Sequence, residues 1–81
     1  MPKLKVLSGS EVVNIFISLG FVVASRKGSH LKLVRVTTGG CRQILTVPDH
    51  RELDKGTLRA IFRQATRYVT EDELESYFYN V

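Results

Sequence analysis

Two short glycine-bearing stretches, Lys27-Gly28-Ser29 and Thr37-Thr38-Gly39-Gly40, divide residues 21–47 into three brief runs. The runs are "FVVAS" (21–25), "HLKLVRV" (30–36) and "CRQILTV" (41–47), the last closed by Pro48. Their β-branched content and apolar–polar alternation mark each as a strand. A parallel pair needs a crossover of about a dozen residues or more, and these connections are far shorter, so neighbouring strands can pair only antiparallel. A three-stranded meander is the frame that everything else must fit.

Helical signals flank it. Ser8 and Glu11 spell the S-x-x-E capping box, and Val12, Ile15, Phe16 and Leu19 follow at helical spacing up to Gly20. This predicts a helix over about 9–19, stopped by glycine in the left-handed region. After the meander, Asp54 is placed to cap a second helix whose stripe is Leu58, Ile61, Phe62 and Ala65. Thr70 and Glu73 repeat the box and open a short acidic helix, about 70–79, with Leu74, Tyr77 and Phe78 on its packing side. The expected fold is α+β: an α-β-β-β-α domain with a three-stranded antiparallel sheet, both main helices on one face, and a short C-terminal helix. At 81 residues the chain is one domain, with its core over about 8–65.

Charge is unevenly distributed. Residues 1–70 hold all twelve Lys and Arg against Glu11, Asp49, Glu52 and Asp54, a balance of +8, while 71–81 hold four acids and no base. A basic body favours a polyanion, nucleic acid before an anionic membrane surface. Lys55, Arg59, Arg63 and Arg67 recur every four residues as a ridge on the second helix. Like charges at that spacing repel by a few tenths of a kcal/mol per pair, a repulsion that a bound polyanion reverses. The first-turn N–H groups at Gly56 and Thr57 can receive a phosphate; an ordinary Asp54 cap and a solvated face are the other reading of the same residues.

The single Cys41 excludes an internal disulfide and a multi-cysteine metal site. The clustered acids at 71–75 point in different directions on a helix and are read as a favourable helix start, so no metal or cofactor is expected. No apolar run resembles a signal peptide or spans a bilayer, which predicts a cytoplasmic protein without a membrane association.

Alternation in "HLKLVRV" sets Leu31 and Leu33 on one face and His30, Lys32 and Val34 on the other. If the leucines face the helices, His30 points outward, preceded by a turn whose Gly28 and Ser29 permit close approach of a ligand backbone. From the residues alone, His30 is either a proton-transfer group or an idle polar residue at a strand edge. His50, in "PDHREL", is either a second acid–base group or part of the turn. The residues leave open whether the sheet face carrying His30 adjoins the basic ridge.

Three stretches taken together, "LGFVVASRKGSHLKL", "VPDHREL" and "KGTLRAIFRQA", resemble the HicA-type toxins, bacterial mRNA interferases of toxin–antitoxin systems. The likeness runs from about Ser8 to Ala65, in order and with compatible spacing. It implies a fold similar to the double-stranded-RNA-binding domain, mRNA as substrate, His30 as the catalytic histidine, and silencing by a HicB-type antitoxin. In such a nuclease Lys27, Lys32 and the hydroxyl or N–H of Ser29 are candidates to hold the phosphate, with Gly28 in the turn and Lys55, Arg59 and Arg63 on the helix. Cleavage is expected to need no metal, because RNA carries its own nucleophile. A non-catalytic RNA-binding module, or an interaction protein whose basic body docks an acidic partner, fits the charge equally well. After Ala65 the chain departs from the family pattern, with Thr66 in place of a glycine and a fuller acidic ending.

Overall fold

The computed structural model describes residues 2–80. In chain order it contains β1 (Lys3–Leu4), α1 (Gly9–Ser18), β2 (Val22–Lys27), β3 (His30–Val36), β4 (Arg42–Pro48), α2 (Lys55–Ala65), α3 (Glu71–Phe78) and β5 (Tyr79–Asn80). The expected α-β-β-β-α order with an added helix is present. Strands β2, β3 and β4 form an antiparallel sheet in that order. Among the described residues no helix is long and apolar enough to cross a membrane.

Local chemistry sets the helix ends. The Ser8 hydroxyl accepts from the Glu11 N–H and the Glu11 carboxylate accepts from the Ser8 N–H, the full reciprocal box. At the other end Gly20 adopts φ 98°, which lets the Phe21 N–H reach the Phe16 carbonyl and the Gly20 N–H reach Ile17. That pair of bonds is the Schellman stop. The Thr70 box is only half made: Thr70 accepts from the Glu73 N–H, but the Glu73 carboxylate meets the Thr70 hydroxyl instead of its N–H.

The core lies on one face of the sheet. Leu33, Leu45 and Val47 join Val12 and Phe16 of α1, Leu58 and Ile61 of α2, and Leu74 and Phe78 of α3 in one buried cluster, with Leu31 packed against it. Period-2 alternation therefore turns His30, Lys32, Val34 and their register partners Pro48, Thr46 and Ile44 to the opposite face. Phe78 packs as expected, in ring contact with Phe16 and Phe62. Tyr77 does not: it is 37% exposed, because the helix buries Leu74 and Phe78, four residues apart, and Tyr77 falls off that face.

Three features lie outside the expectation. Strand β2 runs on to Lys27, with an irregularity between Val23 and Ser25, so the turn shrinks to Gly28 and Ser29. Strands β1 and β5 pair antiparallel, Lys3 with Asn80 and Leu4 with Tyr79, clasping the two chain ends. Finally, Arg35 is not a surface cation. Its guanidinium donates to Gln43 Oε1 at 2.7 Å, the Leu19 carbonyl at 2.8 Å and the Tyr68 carbonyl at 3.0 Å, and lies 4.8 Å from the Phe21 ring centroid. It ties the end of α1 and the turn after α2 to the sheet.

Candidate functional site

β4 is a sheet edge, and α2 packs along it. Between them runs an open groove of about 480 Å³. His30, Thr46 and Pro48 line it from the sheet, and Thr57, Arg63, Gln64 and Arg67 line it from the helix side. The outward face of the sheet and the basic ridge of α2 thus meet around the edge of β4, with His30 on one wall and two arginines on the other.

The turn before His30 is built for its place. Lys27 pairs with His30, leaving Gly28 and Ser29 as a two-residue hairpin loop, and Gly28 takes φ 60°. Glycine first in such a loop suits the twist of the flanking strands. The Ser29 carbonyl accepts from the Asp49 N–H, and His30 itself stands opposite Pro48 in the ladder. Arg26 completes the arrangement: its Nε donates to the Gly28 carbonyl at 3.0 Å, and its Nη1 lies 2.9 Å from Asp49 Oδ2. The histidine is exposed, while the backbone on both sides of it is fixed.

The other candidates divide by place. Ser29 and Lys27 sit in and beside the turn, and Lys32 is half-buried on the outer sheet face two residues past His30. The expected ridge is only partly helical, since α2 ends at Ala65 and Arg67 stands in the turn beyond it: Arg63 and Arg67 face the groove, whereas Lys55 and Arg59 line a different hollow with Lys3 and Tyr79. The first turn of α2 is occupied by its cap. Thr57 gives its N–H to Asp54 Oδ2 at 3.2 Å and its hydroxyl to Asp54 Oδ1. Those two bonds hold the Asp54 carboxyl below its ordinary value of 3.8, so a fixed negative charge stands where Gly56 and Thr57 could otherwise seat a phosphate. His50 offers its carbonyl to the Gly9 N–H, and its side chain does not line the groove.

Arg67 and Gln64 line the groove without having been expected there as site residues. Arg67 belongs to the four-residue ridge, which is its signal in the sequence; Gln64 is set by the helix position alone.

A family model described as the HicA toxin of bacterial toxin-antitoxin matches residues 9–66, more than two thirds of the chain. The chain belongs to the HicA toxin family. This HicA-family chain is therefore a toxin of a bacterial toxin–antitoxin pair, and membership implies an antitoxin partner. A search of curated proteins found no match. The matched span holds α1, the meander, all of α2 and the groove apart from Arg67, and leaves α3 and both terminal strands outside.

Proposed function

We propose that this HicA-family toxin is an endoribonuclease that cleaves mRNA in the groove between β4 and α2, with His30 as its proton-transfer group, and that a HicB-type antitoxin silences it. The observation that supports this most is that His30 shares one groove with Arg63 and Arg67. A cleaved ribose–phosphate chain needs both: a group to move a proton and cations for the charge that develops on phosphorus.

The reaction draws on the substrate's own 2′-hydroxyl. His30 takes the 2′-OH proton, the oxygen attacks the adjacent phosphorus, and the bond to the 5′-oxygen breaks, leaving a 2′,3′-cyclic phosphate and a 5′-hydroxyl end. The departing 5′-oxygen takes its proton from water, and the protonated His30 returns the 2′-OH proton to solvent, so that protons balance over the turnover. Arg63 and Arg67 offer planar forks that match phosphate oxygens. Lys27, Lys32 and the N–H or hydroxyl of Ser29 flank the histidine from the sheet. No metal is needed to generate the nucleophile.

Induced expression of wild type and His30→Ala in bacteria, with mRNA followed by probe, tests the reading. Wild type should deplete mRNA and stop growth, and His30→Ala should do neither. Intact mRNA under wild type would remove the nuclease and leave an RNA-binding or protein-docking module. Equal decay under both would remove His30 from the chemistry. Cleavage of purified RNA should persist in EDTA and yield cyclic-phosphate ends.

A further inference from the structure

The far end of α2 carries a second basic hollow. Pro2, Lys3, Leu4, Lys55, Arg59 and Tyr79 enclose about 420 Å³, within the range of roughly 300–1,000 Å³ typical of small-ligand sites. Three cations and one aromatic ring line it, and no acid does among the described residues. Tyr79 meets Phe62 in a T-shaped contact at 5.3 Å and 87°, which leaves at least one face of the tyrosine clear of Phe62. The clasp of β1 on β5 brings Lys3 beside Tyr79, in a part of the chain outside the family match.

This hollow is linked to the His30 groove. Arg59 and Arg63 both line an intervening hollow with Phe62, Thr66, Glu71 and Tyr79, and Arg63 continues into the groove. Each four-residue step along α2 rises about 6 Å, so Lys55 to Arg63 makes a track of about 12 Å, which Arg67 continues in the turn past the helix end. Glu71 is the one acid along it among the described lining residues.

We propose that the hollow at Tyr79 is a second nucleotide site, which holds the single-stranded RNA flanking the bond cut at His30: Lys3, Lys55 and Arg59 take its phosphates and Tyr79 stacks on a base. The inference rests on RNA being the ligand of this toxin. It assigns a function to the terminal clasp, and it makes Glu71 an electrostatic brake between the two ends of the track. A single strand suits the site because a base must leave its stack to lie on Tyr79.

The test is RNA binding by the full chain carrying His30→Ala, followed by anisotropy with a labelled single strand of about ten nucleotides. Added Lys55→Gln should weaken binding about three- to tenfold and lower the salt slope by about 0.7, the loss of one phosphate contact. Tyr79→Ala should weaken it by a similar factor with the slope kept, and Tyr79→Phe should restore it. Glu71→Gln should tighten binding about threefold, a change that damage to the fold does not produce. Parent-like affinity in both Lys55→Gln and Tyr79→Ala would overturn the site. So would tighter binding of poly-glutamate than of RNA, lost on the same substitutions, which would make the hollow a protein-docking surface. Absence of cleavage by wild type would sink the nuclease reading separately, since no arm of this experiment depends on cleavage.

Discussion

Arg26 and Asp49 meet at 2.9 Å across the end of the sheet, and the same guanidinium holds the Gly28 carbonyl two residues before His30. Arg26 is exposed at 55% and Asp49 partly so at 33%, so the ion pair contributes at most about 1 kcal/mol to folding. Its consequence is positional. One planar group fixes the β2–β3 turn to the residue after Pro48, the ladder partner of His30. Arg26→Ala should therefore lower kcat for RNA cleavage about ten- to hundredfold while KM changes little, the pattern of a displaced reacting group. Arg26→Lys should recover only part, because an ammonium lacks the fork that reaches two partners. Steady-state cleavage of a labelled RNA measures the split. A rise in KM alone would make Arg26 a simple phosphate contact.

Arg35 is the opposite case, a cation used for architecture. Each of its three nitrogens donates once, to two backbone carbonyls and Gln43, and it does not line the His30 groove. Arg35→Lys leaves part of that set unsatisfied and should cost about 1–3 kcal/mol in urea unfolding. Because Arg35 lies away from the track, the salt slope of RNA binding should stay that of wild type. A slope reduced by one contact would place Arg35 in the RNA interface.

These two arginines show what the chain discloses and what it conceals. Elements written in local terms are readable: the Ser8–Glu11 box, the Gly20 stop and the alternation that turns His30 outward each depend on residues a few positions apart. Arg35 looks like any other base, since the carbonyls that claim it lie 16 and 33 residues away. The β1–β5 clasp is invisible for the same reason: two-residue strands have no periodicity, and Lys3 finds its partner at Asn80. Tyr77 follows Leu74 by three residues and so reads as a packing position, but the fully buried pair is Leu74 and Phe78, spaced by four. The ridge on α2 is legible as charge; its union with His30 is not, because it depends on which sheet edge α2 packs against.

The cap of α2 carries a pH signature. Thr57 holds the Asp54 carboxyl below its ordinary value of 3.8, so the folded state prefers the ionised form more than the unfolded chain does. The stabilisation is fully present above the unfolded value and is lost as pH falls through the lower folded one. Asp54→Asn keeps a capping oxygen but cannot titrate. The melting temperature of wild type should exceed that of Asp54→Asn at pH 6, and the gap should close as pH drops below about 4. A gap that stays constant down to about pH 2 would show that Asp54 is not held by these bonds.

Gly9 joins the start of α1 to the strand end that faces His30. A Cβ added there would collide with the Pro48 carbonyl and lie 2.9 Å from both Asp49 Cα and His50 N, all backbone atoms that cannot swing aside. The Gly9 N–H also donates to the His50 carbonyl at 2.8 Å, so the helix start cannot back away without losing that bond. Gly9→Ala should therefore cost about 1–3 kcal/mol, a large share of the roughly 4–12 kcal/mol expected for a domain of this length. Urea titration should show a lower midpoint at unchanged slope. Because Pro48 pairs with His30 and Asp49 holds the Ser29 carbonyl, cleavage at low temperature, where the variant is still folded, should also fall. A midpoint equal to wild type would mean that α1 and β4 do not approach this closely in solution, and that the Pro48–Asp49 backbone does not brace His30 through the start of the helix.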